Sequence, residues 1–242
     1  MKAMLYGIRV QLKMDIRSKT LLVTCYVVPL LFFAIMGGIF TSLMPEAKYT
    51  LIQSMTVMGV SMGAFIGVPP SMVEIYGTDI KKMYIANGIP LCFGVIALVV
   101  SAFIHLMIMS IIIFALAPIV FHATIPSNIP LYFITLALFI IVSLAISCVL
   151  GLAVKNQAKL TMYSQVVFLP SIMLSGIMFS AELLPSFLEN MGKLFPATWG
   201  YTLLIQKNIE VSSFIPLVFI LFISVFVSMQ SVSYTHLTLP TT

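Results

Sequence analysis

The chain has 242 residues, a formal net charge of +5, 61% apolar residues and only 8% charged ones. Soluble domains carry about 25% charged residues, so a soluble globular protein is excluded and lipid must solvate most of the surface. A mean hydropathy of +1.15 agrees, and the length allows one membrane domain with no separate soluble domain of useful size.

Met1–Lys19 carries Lys2, Arg9, Lys13, Arg17 and Lys19 against one acid, Asp15. Leu5, Ile8, Leu12 and Ile16 fall on one helical face beside a basic stripe of Arg9, Lys13 and Arg17. This predicts an interfacial helix on the inner leaflet, with basic side chains at anionic headgroups; the plainer reading is the positive flank of a first span. The first apolar run starts near Thr20 and is too long for a signal-peptide core of roughly 7–15 residues. It is expected to stay in the membrane.

About 20 apolar residues cross a hydrocarbon core of about 30 Å, and that length predicts six spans: Thr20–Met44, Leu51–Val73, Pro90–Pro118, Leu131–Val154, Thr161–Phe179 and Val211–Met229. The third is longer than needed, so it tilts or ends before Pro118. Cys25, Cys92 and Cys148 lie far apart in apolar runs. They lack metal-ligand spacing and read as small buried apolar side chains. With a cytoplasmic N-terminus, Lys2, Arg9, Lys13, Arg17, Lys19, Lys81, Lys82, Lys155 and Lys159 fall inside, and Lys48, Lys193 and Lys207 outside. That positive-inside bias sets the orientation.

Gly59, Gly63 and Gly67 form a four-residue stripe in the second span that lets another helix approach closely. It reads either as a mobile helix beside a passage or as simple helix packing, and Pro69 and Pro70 should bend or break the helix below it. Glu74–Gly88 is the longest polar segment on the inner side. Thr78 can cap a short amphipathic helix, Asp79–Ala86, with Asn87-Gly88 as its stop. The segment reads as a docking element, or as a linker resting on headgroups.

The stretch Thr161–Thr202 starts as a membrane helix and does not end like one. A short amphipathic piece, Ala181–Lys193, is bracketed by Pro185 and Pro196 and followed by Trp199 and Tyr201. It predicts a segment that dips part-way into the outer leaflet. Such backbone is tolerated at membrane depth only where protein or a water-filled cavity covers it.

No Asp, Glu, Lys or Arg lies within the six expected spans, whereas ion-coupled carriers keep costly charges there for ion or proton work. His105 is the one ionisable group in a span besides thiols and phenols, and reads as a packing hydrogen-bond partner or a proton relay. The sequence holds no G-x-x-x-x-G-K-[ST] loop, no H-E-x-x-H and no G-x-S-x-G. Ser175-Gly176 lacks a matched base. The chain is therefore not expected to be an enzyme, and its driving force is expected from a partner ATPase docked on the inner face.

The basic N-terminal helix Leu5–Lys19, the six spans, the loop Glu74–Gly88 and the segment Leu174–Leu204 together resemble the type-2 membrane subunits of ATP-binding-cassette exporters. The likeness covers about residues 1–230, one transmembrane domain. It implies an all-α integral membrane fold: six transmembrane helices, an N-terminal interfacial helix and a re-entrant outer segment between spans five and six, marked by Gly176, Pro185, Pro196 and Tyr201. It implies a coupling helix around Asp79, Ile80, Lys81, Lys82, Met83 and Tyr84 that docks an ATPase subunit, and spans two and five beside the translocation path, with Gly59, Gly63 and Gly67 nearby. The implied partners are that ATPase, a second permease chain of the same or homologous kind, and membrane lipids, with no nucleic acid. ATP and Mg would sit on the partner, with no cofactor or metal on this chain. The implied location is a bacterial plasma membrane, multi-pass, with a cytoplasmic N-terminus. Gln53, Ser61, Gln165 and Ser175 are substrate-contact candidates from polarity alone. Ser231–Thr242 resembles a translated sequencing-adapter read-through and is expected to be a non-native tail. The alternatives are an ion-coupled carrier, a membrane-embedded enzyme and a non-transporting immunity subunit.

Overall fold

The computed structural model describes residues 2–18, 22–77, 83–84, 86–90, 92–154, 156–178, 184–206 and 211–237. Among them the chain is all-helical, and five helices are long and apolar enough to cross a membrane: Val23–Leu43, Leu51–Ile75, Cys92–Phe121, Ile129–Ala153 and Ser212–Ser231.

In chain order, α1 (Lys2–Arg17) precedes a π-helical turn (Val23–Val27) that leads into α2 (Val28–Leu43). A 3-10 turn (Pro45–Tyr49) links to α3 (Leu51–Met62). A second π-helical turn (Gly63–Gly67) joins α3 to α4 (Val68–Gly77). Then come α5 (Cys92–Phe121), α6 (Ile129–Ala153), α7 (Gln157–Met173), α8 (Ser186–Gly192), α9 (Pro196–Ile205) and α10 (Val211–Leu237). The α3–α4 span is central. Every residue of α3 is buried, packed by α2, α5, α7 and α9, while α4 lies on α6. The last span is mostly exposed and leans on α6 and α9. Residues 51–67 of this span carry no charge and hold Gly59, Gly63, Gly67, Ser54, Ser61 and Thr56, and such a stretch can take the middle because small residues let neighbouring backbones close in.

The prolines act differently from expectation. Pro69 and Pro70 do not end the second span, which runs on to Gly77. A proline removes one backbone donor and clashes with the carbonyl four residues earlier, and those carbonyls, on Phe65 and Ile66, lie in the π-helical turn. The widened turn absorbs the conflict. The hydroxyl of Ser147 on α6 donates to the Ala64 carbonyl at 2.6 Å, an acceptor that Pro69 cannot serve. The first span repeats the device: Pro29 lies four residues after Cys25, inside the other π-helical turn, and the two turns touch. Pro118 likewise does not end the third span, which continues to Phe121.

The expected fifth span, Thr161–Phe179, is α7, a 17-residue helix. It starts earlier, because the Asn156 side chain accepts from the Ala158 and Lys159 amides at 3.0 and 3.2 Å, which caps the helix there. It ends earlier too, and Gly176 turns the chain with φ 84°. At 1.5 Å per residue α7 reaches about 25 Å, short of the roughly 30 Å core. Cys25 and Cys148 are buried as expected, whereas Cys92 is exposed at the start of α5. The final helix runs past Met229 to Leu237.

Candidate functional site

The largest concavity described, about 1060 Å³, opens at the end of the bundle away from α1. The end of α2, the start of α3, the turn after α7 and one face of α9 enclose it. Phe40, Leu51, Ile177 and Met178 make its apolar wall. Thr50, Ser54, Ser175, Thr198, Tyr201 and Thr202 supply hydroxyls, and Glu46 is the one charged lining residue among the described residues. A second cavity of about 390 Å³ shares Thr50, Ile205 and Gln206 with it and is bounded by Gln53, Tyr132 and the loop 124–128. The Thr124 amide pins that loop to the Lys48 carbonyl at 2.9 Å.

Of the two short helices, α9 lines the cavity and α8 packs behind it. Pro185 precedes α8 as its N-cap and Pro196 opens α9, the position where a fixed φ and a missing donor cost nothing. The Thr198 hydroxyl donates to the Gly192 carbonyl at 2.6 Å and the Trp199 indole to the Lys193 carbonyl at 2.7 Å. These bonds fold α9 back on α8. Gly192 has no room for a side chain, since a Cβ there would lie 2.5 Å from the Leu174 carbonyl oxygen. Ser54 donates to the Tyr201 hydroxyl at 3.4 Å, joining α9 to α3.

Of the four residues singled out at the broken segment, Gly176 and Tyr201 line the cavity, Pro196 opens the lining helix α9, and Pro185 opens α8 behind it. The glycine stripe lies elsewhere, deeper in the bundle. Gly59 faces Met109 and Pro29, Gly63 faces Leu106 and Cys25, and Gly67 faces Thr24 and Cys25. The stripe is where the second span closes on the first and third.

At the opposite end, Asp79, Ile80, Lys81 and Lys82 lie outside the described residues. Met83, Tyr84 and Ala86 are helical. The Asn87 amide and side chain both donate to the Met83 carbonyl, at 3.1 and 2.8 Å. The Ile89 amide donates to Tyr84 at 2.8 Å while Gly88 takes φ 64°. That is a Schellman stop, in which a left-handed glycine lets the chain satisfy the last carbonyls.

The family model described as ABC-2 type transporter matches residues 5–209. The chain belongs to the ABC-2 type transporter family. No curated protein matches it. Membership makes it the multi-pass permease component of a transporter, a kind of domain that is generally non-catalytic, and implies an ABC ATPase as partner.

On this ABC-2 permease the polarity guesses separate. Ser175 lines the large cavity and also donates to the Ile172 carbonyl at 2.8 Å. Gln53 lines the smaller cavity, its Oε1 buried and without a hydrogen-bond partner among the described residues. Ser61 is buried away from both, and Gln165 is exposed on α7. His105 is held by the Tyr26 hydroxyl, 2.7 Å from Nδ1, the behaviour of a packing partner.

Sequence reasoning missed Asp15. Its carboxylate is 4% exposed, accepting from Gln11 Nε2 at 2.8 Å and from the hydroxyl of Ser101, within the third span. Charge counting inside spans could not find it, because Asp15 arrives from α1.

Proposed function

We propose that this permease is the membrane subunit of an ATP-driven exporter, with the cavity beside α9 as the outer part of its translocation path. The observation that carries the reading is the cavity itself: a large, mostly apolar space with hydroxyls, walled on one side by α9, a 10-residue helix too short to cross the bilayer. Irregular backbone at membrane depth belongs where it lines a passage. The absence of a phosphate-loop motif in the sequence puts ATP and Mg on the partner. Docking is assigned to the segment around Lys81 and Lys82, which leads into residues 83–90, described on the bundle end opposite the cavity. The positive-inside distribution supports a cytoplasmic N-terminus, and a second permease chain would complete the path.

The test is co-purification and transport in vesicles with the ABC ATPase expected to be encoded beside this chain. Charge reversal at Lys81 and Lys82 should lower ATPase recovery, and solute accumulation should require ATP. Accumulation against a gradient by this chain alone would refute the reading. An ion-coupled carrier is the reading that buried Asp15 and His105 favour; for it, His105→Ala would abolish transport while ATP depletion would not.

A further inference from the structure

α1 buries only part of its apolar stripe against the protein. Leu5 and Ile16, from the apolar stripe, are 65% and 56% exposed, and the basic residues Arg9, Lys13 and Arg17 are exposed as well. Asp15 is buried, and Gly7, Ile8, Gln11, Leu12 and Ser18 are half-buried, so the protein-facing side combines the polar row Gly7, Gln11, Asp15 with two residues of the apolar stripe. In a membrane protein this arrangement is physically sensible. Leu5 and Ile16 can stay in lipid, whereas the groups that need partners must find them in protein.

Those groups key onto α5 in a fixed register. Gly7 sits against the Phe93 ring, where a Cβ would come within 2.2 Å of Cζ. Eight residues later on both helices, Asp15 accepts from Ser101. Equal steps on the two chains mean that α1 runs beside the base of α5 in the same direction. The 30 residues of α5 span about 45 Å at 1.5 Å per residue, so about 15 Å exceeds the hydrocarbon core. The keyed stretch from Gly7 to Asp15, about 12 Å at that rise, is no longer than this surplus. Phe93 also meets Tyr84 edge-to-face, with ring centroids 6.4 Å apart. One ring therefore touches both α1 and the segment 83–90.

We propose that Asp15 is a positioning residue that keys α1 to α5, so that α1, the base of α5 and residues 83–90 move as one body. The carboxylate suits this because both neighbours donate to it and each of its oxygens takes one bond. A displacement at 83–90 reaches α1 through Phe93. That last consequence rests on the docking reading above, whereas the key itself does not.

Hydrogen exchange on the full chain in nanodiscs containing anionic lipid, without any ATPase, tests the key. Asp15→Ala and Ser101→Ala should each raise amide exchange in α1 about tenfold, with the double variant no worse than the single ones, while α6 stays protected. Asp15→Asn, which can recover both bonds by amide rotation, should lose less than Asp15→Ala. Adhesion to lipid alone predicts the opposite sign: Asp15→Ala would tighten α1 by removing a negative charge, and Arg9→Gln with Lys13→Gln would release it. That pattern, or unchanged exchange in both alanine variants with α6 intact, overturns the proposal.

Discussion

Gly200 on α9 lies so close to Phe139 on α6 that a Cβ there would sit 2.3 Å from Phe139 Cδ2. Phe139 is completely buried, so its ring has nowhere to retreat. The close approach seats α9 on the fourth span.

Gly200→Ala should therefore unseat α9. Overpacking a filled core costs typically about 1–3 kcal/mol, and Gly192→Ala should cost as much because it meets backbone, the Leu174 carbonyl oxygen at 2.5 Å. Gly38→Ala is the control, since its Cβ would meet nothing nearer than Phe121 at 3.9 Å. Thermal unfolding of the detergent-solubilised protein should show lowered midpoints for the first two and an unchanged one for the third.

The glycine stripe of the second span should respond in graded fashion. At Gly67 the nearest atom to an added Cβ is Thr24 Cγ2 at 3.3 Å, a contact that a shift of a few tenths of an ångström relieves. At Gly59 and Gly63 the obstacles are Met109 Cε at 2.8 Å and Leu106 Cδ2 at 2.4 Å, both ends of flexible side chains. Alanine at these three positions should lower the unfolding midpoint least at 67 and most at 63. Gly63→Leu should exceed all of them and reduce the folded yield, because Leu106 is already fully buried.

The long spans were legible because about 20 apolar residues leave few options in a bilayer. The end of the helical turn at Asn87-Gly88 was legible for a local reason, the left-handed glycine. The π-helical turns were not, since a proline pair signals a conflict without saying whether the helix breaks or widens. The orientation of α1 was not legible either. Periodicity marks an apolar face, but lipid and protein compete for it, and at Leu5 and Ile16 protein does not take it. Asp15 and Ser101 stand 86 positions apart, a separation that no local pattern bridges. The broken segment was half legible: Pro185 and Pro196 marked its breaks, whereas the Gly200–Phe139 approach depends on a side chain from another span.

Ser147 also accepts no substitute cheaply. Its hydroxyl reaches the Ala64 carbonyl at 2.6 Å and its own helix's Ser143 carbonyl at 2.9 Å. Ser147→Ala leaves the Ala64 oxygen buried against a proline, and interhelical hydrogen bonds in membranes average about 0.6 kcal/mol with a maximum near 1.7. The upper part of that range is expected here because the acceptor has no alternative donor at residue 69. Amide exchange at Gly63–Gly67 should rise with little change at the far end of α3.

Tyr26 and His105 allow a sharper test, because their bond is asymmetric in its consequences. The Tyr26 hydroxyl holds His105 Nδ1 at 2.7 Å, while the buried Nε2 has no hydrogen-bond partner among the described residues. Tyr26→Phe strands the whole imidazole, and an unanswered buried polar group costs about 1–3 kcal/mol, whereas replacing both partners by apolar groups of similar shape is nearly neutral. The double variant Tyr26→Phe, His105→Leu should therefore unfold at a higher temperature than Tyr26→Phe alone. ATP-dependent transport by the double variant should persist, as a packing pair requires. Its loss, with the fold intact by the same melting curve, would assign His105 to proton transfer instead.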